Sequence, residues 1–201
     1  MVPSPSSSAA YGKAALRFEA RRRRNAFVAG LSQLERDDLQ SVLSDLLQPM
    51  FDKAGRVAAY HAVSSEIDPA SVLKRAMESG CSTALPAFEH GDALMIFRSG
   101  VVFETGPHGV PQPPHQAKVI TPDLILVPLL AVDRHGTRLG QGGGHFDRVL
   151  PTLREGGATI IGVGWAMQLV EDDLPADPWD VPLDGFVSPE RMTMFKPVAN
   201  G

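Results

Sequence analysis

Cysteine is all but missing from this chain: among 201 residues only Cys81 carries a thiol. An intramolecular disulfide and a cysteine-built zinc site are both excluded, and Cys81 reads as a small buried residue. No apolar run reaches the roughly 18 residues that a membrane helix needs, so no membrane partner is expected. Basic charge is not in excess either: 19 Lys and Arg against 23 Asp and Glu leave a formal net charge of −4. A general nucleic-acid binder needs a basic face for the phosphates, and none is expected here. No internal repeat is visible, and no Ser-His-Asp or Cys-His set presents itself for nucleophilic catalysis. What remains is 43% hydrophobic and 21% charged residues, the balance of a soluble globular domain large enough to bury a substantial core.

Residues 1–12 carry no charged side chain and little to bury, and read as a flexible tail. Their Ser-rich, acid-free character before an Arg-rich stretch is similar to an organelle transit peptide, yet a cytoplasmic location is the expectation. Residues 13–201 then alternate strand and helix patterns. A helix is predicted over 13–28, where the run Arg21–Arg24 reads as a solvated face. Ser32 followed by Glu35 is a capping-box start for a second helix. Strands are predicted at 56–63, 83–87, 93–97, 101–103, 123–132, 158–166 and 185–188, and helices at 69–79 and 144–153. Residues 106–116, rich in Pro, Gly and His, read as an irregular loop. This alternation predicts an α/β fold: a mainly parallel sheet flanked by helices on both faces, a three-layer α/β/α sandwich in a single domain, expected as a monomer.

One stretch concentrates the chemistry. The apolar run from Ile125 ends at Asp133, and a basic, glycine-dense turn follows before a helical pattern. This is how a buried parallel strand delivers a loop to the carboxyl edge of an α/β sheet, where such sheets bind ligands. Gly140, Gly142, Gly143 and Gly144 let bare backbone N–H groups approach an anion, Arg138 adds a forked cation, and the next helix points its positive end at the same place. The loop reads as a phosphate cradle. It is no P-loop, because no Lys follows the glycines, and no dinucleotide fingerprint, because His145 stands where the third glycine belongs.

The string Asp133-x-x-Gly136-x-Arg138-Leu139-Gly140-x-Gly142-Gly143-Gly144-x-Phe146-Asp147-Arg148 resembles the signature of the 5-formyltetrahydrofolate cyclo-ligase family. Lys13-x-x-x-Arg17, Ser65-Glu66-Ile67-Asp68, Val110-Pro111-Gln112-Pro113 and Leu174-Pro175 with Asp180 to Asp184 follow in that family's order and spacing. The chain departs from the family at His145 and Phe146, where two tyrosines are common, at His108, often aromatic, and at Trp179, often His.

The resemblance implies ATP-driven, Mg²⁺-dependent conversion of 5-formyltetrahydrofolate to 5,10-methenyltetrahydrofolate, with ADP and phosphate released. It implies that Lys13, Arg17 and the loop residues Arg138, Leu139, Gly140, Gln141, Gly142, Gly143, Gly144, His145 and Phe146 bind ATP, with Arg138 stabilising the transferring phosphoryl group. Asp147 and Asp184 are expected to hold Mg²⁺, which favours a few protein oxygens plus phosphate and water. Read alone, Asp147 equally suits the first turn of its helix and Asp184 a turn. Glu66, following a strand at the sheet's crevice, is expected to accept hydrogen bonds from the amino-pyrimidine edge of the folate, with His61 and His108 beside it. Asp133 stays unassigned between the site and a loop cap. Two other readings stand: a sugar-phosphate isomerase or deaminase of similar architecture, which needs no ATP, and a non-catalytic folate-binding relative, to which His108, His145 and Trp179 point.

Overall fold

The computed structural model describes residues 6–89, 94–100 and 103–196. It opens with two helices, α1 (Ser6–Ala29) and α2 (Gln33–Phe51). Helix α1 starts at Ser6, within the stretch expected as a tail, and residues 1–5 lie outside the described residues. The predicted capping box is present: Ser32 Oγ accepts from the Glu35 N–H at 3.3 Å, and the Ser32 N–H donates to Glu35 at 2.8 Å. Leu43, Leu47 and Phe51 then form the buried stripe of α2 at helical spacing.

Strand β1 (Arg56–Ala58) is followed by α3 (Ala70–Glu78), which stops at Gly80 with φ 87°, the left-handed conformation of a glycine beyond a helix end. Strands β2 (Ser82–Glu89) and β3 (Leu94–Arg98) come next. Val101 and Val102 of the strand expected at 101–103 lie outside the described residues. The loop expected to be irregular instead holds a short hairpin, β4 (Glu104–Thr105) with β5 (Pro111–Gln112), closed by a 3₁₀ turn at Pro107–Gly109.

The long strand expected over 123–132 is two elements. Strand β6 (Leu124–Pro128) ends at a proline, which has no N–H to continue the ladder. Beyond it the chain forms a hairpin of β7 (Ala131–Val132) and β8 (Arg138–Leu139). Helix α4 (His145–Glu155), β9 (Thr159–Val163), β10 (Gly185–Ser188) and β11 (Arg191–Met194) complete the chain. No helix among the described residues is long and apolar enough to cross a membrane.

The seven-stranded sheet has the order β11-β10-β9-β6-β1-β2-β3. Its five central strands run parallel, and the edge strands β3 and β11 run antiparallel to their neighbours. One face packs Leu47, Val72 and Ala76 of α2 and α3 against Val57, Leu124 and Ile161; the other packs Leu150 and Leu153 of α4 against Ala58, Ile125 and Ile160. These are the three layers the sequence predicts. β1 leaves the sheet through α3 on one face towards β2, whereas its neighbour β6 leaves towards α4 on the other face and β9. The strand order reverses between them, and the chain ends diverge there into a crevice, the place where open α/β sheets bind ligands.

Candidate active site

A cleft of about 470 Å³ opens in that crevice. One wall is the loop Gly140–Gly144 and the first turn of α4. Gly142 and Gly144 take φ of 103° and 69°, which a side chain resists, so glycine is required at both. The N–H groups of Gly142, Gly143 and Gly144 donate to no acceptor among the described residues, and they stand beside the positive end of α4. Arg138, carried in from β8, pairs with Asp147 in the first turn of α4, and its guanidinium carbon lies 5.9 Å from the centre of the Phe146 ring. Burial disfavours the Arg138 cation and lowers its pKa, against the pull of Asp147 and Asp180.

The opposite wall grows from the end of β1. Tyr60 donates to the Ile67 carbonyl at 2.7 Å, pinning the loop between them. Ser64 takes φ 59°, a left-handed conformation unusual for a residue with a side chain, in the turn closed by the Glu66 N–H on the Val63 carbonyl. That turn places Glu66 in the cleft, 5% exposed. Its Oε2 accepts from the Val63 N–H at 2.9 Å; its Oε1 accepts from Gln141 Nε2 at 2.8 Å and faces the Arg24 guanidinium at 3.5 Å. Phe88, Met95, Pro86 and Val110 supply apolar surface between the two walls.

Helix α1 runs along the site with Lys13, Arg17, Arg21 and Arg24 on one stripe at three- and four-residue spacing. The Arg21–Arg24 run is therefore not one solvated face. Arg22 and Arg23 turn outward to Glu19, while Arg21 lines the cleft and Arg24 is buried against Ser65, with Nε to Oγ at 3.0 Å. Arg21 and Arg24 are cleft-lining cations that were not expected there, and their helical spacing from Arg17 was the available signal. Tyr60 and Phe88 were missed for a different reason: they meet the cleft only through the sheet's topology.

The structure gathers His61, Glu66, Arg138, Gly140, Gln141, Gly142, Gly143, Gly144, His145, Phe146 and Asp147 around one cleft. His61 is half-buried, its Nε2 finds no partner among the described residues, and burial lowers its pKa; its ring meets Phe103 edge-on at 5.1 Å. His145 meets Phe88 edge-on at 4.9 Å. His108 lies in the 3₁₀ turn beside the cleft residues Val110 and Pro111, and its side chain lies outside the described parts of the chain.

Leu139, Lys13, Arg17 and Asp184 do not line the cleft. Leu139 is buried with Leu130 and Ala131 in a small apolar cluster, because β8 turns its side chain away from the cleft. Lys13 does not converge with Arg17: Asp177 and Asp180 engage it at 2.6 and 3.1 Å, and against the effect of burial their hydrogen bonds and charges raise its pKa. Arg17 instead reaches the back of the glycine loop, its Nε donating to the Gly140 carbonyl at 3.1 Å. Asp184 does not meet Asp147. It sits at the start of β10, where it accepts from the Ile160 N–H at 2.7 Å and pairs with Arg154 near the far end of α4, whereas Asp147 is in that helix's first turn. Asp133 proves to be a loop cap: it accepts from the N–H groups of His135, Thr137 and Leu174 at 2.8–2.9 Å.

Fold and cleft together define a three-layer α/β protein whose switch-point crevice joins a backbone anion cradle to an apolar pocket bearing a carboxylate. Within that class the chain belongs to the 5-formyltetrahydrofolate cyclo-ligase family, whose model matches residues 9–189. It is 38% identical over 148 residues to the 5-formyltetrahydrofolate cyclo-ligase of Mycolicibacterium smegmatis, covering 67% of this chain and 74% of that protein. Among solved structures it is similar to the 5,10-methenyltetrahydrofolate synthetase of Aquifex aeolicus, with a TM-score of 0.76, 27% identity and coverage of 94% of this chain and 95% of the other. The synthetase of Mycoplasma pneumoniae shares the fold, with a TM-score of 0.69 at 23% identity over 89% of this chain and 99% of the other.

Proposed function

We propose that the protein converts 5-formyltetrahydrofolate to 5,10-methenyltetrahydrofolate with hydrolysis of ATP to ADP and phosphate. The observation that carries this reading is the continuity of the cleft. Its glycine loop and Arg138 suit a polyphosphate, its other wall offers the Glu66 carboxylate in apolar surroundings, and one cavity holds both. Family membership and the likeness to a methenyltetrahydrofolate synthetase support the same substrate.

In this reading the folate's amino-pyrimidine edge donates to Glu66, and the apolar wall around Phe88 and Met95 covers its rings. The triphosphate lies along the N–H groups of the glycine loop with Arg138 beside the γ-phosphate, and Arg17 anchors the start of the loop at the Gly140 carbonyl. The formyl oxygen attacks the γ-phosphorus and ADP leaves. The folate's N10 then attacks the activated formyl carbon, loses its proton, and phosphate departs with the former formyl oxygen. The protein's part is alignment and charge stabilisation, which supply most of the catalysis in phosphoryl transfer.

Asp147, 40% exposed at the cleft beside the N–H cradle, fits Mg²⁺ as a single carboxylate ligand, since that ion takes phosphate oxygens and water for its remaining positions. Bound there, Mg²⁺ would neutralise phosphate charge. Asp184 takes no part. The test is isotopic: with oxygen-18 in the formyl group, the label should appear in the inorganic phosphate released. Phosphate without label would overturn the proposed route.

A further inference from the structure

Gln141 stands where the two walls of the cleft touch. Its orientation is fixed by its neighbours. Arg21 donates to Gln141 Oε1 at 2.9 Å, and the Gln141 Nε2 donates to Glu66 Oε1 at 2.8 Å. A guanidinium only donates and a carboxylate only accepts, so the amide cannot be turned the other way. Gln141 is exposed to solvent, whereas the carboxylate beneath it is 5% exposed. The Val63 N–H occupies the other oxygen of that carboxylate at 2.9 Å. A ligand that donates two N–H groups to Glu66 therefore meets a carboxylate already engaged on both oxygens. Of the occupants, the Val63 N–H is backbone in a closed turn and Arg24, on Oε1 at 3.5 Å, is buried and tied to Ser65 Oγ at 3.0 Å; the Gln141 amide rides on a loop with left-handed glycines at Gly142 and Gly144.

We propose that Gln141 is a displaceable stopper on Glu66 that couples the two substrates. The coupling rests on the folate reading of Glu66 and arises from competition: Arg24 and the Gln141 amide take the two acceptor positions of Glu66 Oε1, so a folate N–H reaches that oxygen only when Gln141 leaves it. Polyphosphate binding draws the glycine loop onto its anion, and Gln141 moves with that loop and vacates Glu66. Nucleotide thus raises folate affinity, and by linkage folate raises nucleotide affinity by the same factor. Arg21 sets the strength of the stopper by holding the amide's carbonyl end.

Gln141→Met tests this, because it keeps length and bulk and removes the amide. Calorimetry with 5-formyltetrahydrofolate is run on both proteins, with and without a non-hydrolysable ATP analogue. In the natural protein the analogue should tighten folate binding roughly tenfold, the factor that about 1.4 kcal/mol represents. Gln141→Met should bind folate that tightly without nucleotide and gain nothing further when nucleotide is added. Arg21→Met should shift the same way by a smaller factor. Weaker folate binding by Gln141→Met, or undiminished coupling in it, overturns the inference and leaves the functional reading standing. A natural protein that does not bind 5-formyltetrahydrofolate at all overturns both.

Discussion

Arg138 and Asp147 are joined by an ion pair that ties the β7–β8 hairpin to the first turn of α4, with the Arg138 side chain 7% exposed and Asp147 40% exposed. Asp147 engages one side of the guanidinium, and the fork keeps further N–H donors for a phosphate oxygen. The same pair sets an orientation: Asp147 holds the guanidinium beside the cleft-lining loop whose Gly142, Gly143 and Gly144 N–H groups donate to no acceptor among the described residues.

Arg138→Ala should lower turnover about 100-fold or more, the scale of losing one preorganised donor to a developing charge. Arg138→Lys should restore only part of it, because an ammonium cannot make two parallel hydrogen bonds. Steady-state kinetics on variants with native circular dichroism measure both, and near-normal turnover in Arg138→Ala would sink the assignment.

The two aspartates should separate cleanly. Asp147→Asn should raise the Mg²⁺ concentration needed for half-maximal activity while folate affinity holds. Asp184→Ala should leave the Mg²⁺ dependence alone and instead cost about 1–3 kcal/mol of stability, having lost a hydrogen bond to the Ile160 N–H and the pairing of Arg154. Magnesium titrations and urea unfolding of both variants decide it; a shifted Mg²⁺ requirement in Asp184→Ala would restore the paired-carboxylate idea.

Glu66 and Arg17 should divide the ligands between them. Glu66→Gln keeps the shape and loses the charge that strengthens hydrogen bonds to N–H donors, so 5-formyltetrahydrofolate affinity should fall by about one to two decades with ATP affinity nearly unchanged. Arg17→Ala should weaken ATP and spare folate, and should do so more than Lys13→Ala, since Lys13 is bound up with Asp177 and Asp180. Equal losses of both ligands in Glu66→Gln would mean that it orders the loop and does not contact the folate.

His61 gives the fold a pH dependence of known sign. Burial lowers its pKa from the ordinary 6.5, partly offset by the charge of Asp68. The unfolded chain then takes up a proton before the folded one does. The stabilising contribution is complete above pH 6.5 and is lost as pH falls from there towards the depressed value. Urea midpoints between about pH 7.5 and about pH 5.5, values that bracket the ordinary histidine pKa, should drop less in His61→Leu than in the natural protein. An identical drop would place the titration elsewhere.

The layers of the fold and the glycine loop were legible because both rest on local signals. A capping box at Ser32, buried runs along the central strands, and glycines at positions whose backbone turns left-handed can each be read without knowing the rest. What the sequence hid was long-range. Nothing near Pro128 in the chain announces that β6 yields to a hairpin, although the proline itself marked the end of the ladder. Asp184 looked like a partner for Asp147 because the family's motif places both; it is Arg154 and the Ile160 N–H, brought in by α4 and β9, that claim it. Arg24 hid inside a charge run; its helical spacing from Arg17 was the one local sign, and the packing of α1 against Ser65 and Glu66 is what buries it.

Absorbance of the methenyl product tests the account most directly. Protein, Mg²⁺ and 5-formyltetrahydrofolate should give no product without ATP. On adding ATP the methenyl absorbance should rise, with one ADP formed for each product. Product formed without ATP, or ATP consumed with no methenyl absorbance, would contradict the central claim that one cleft joins phosphoryl transfer to folate ring closure.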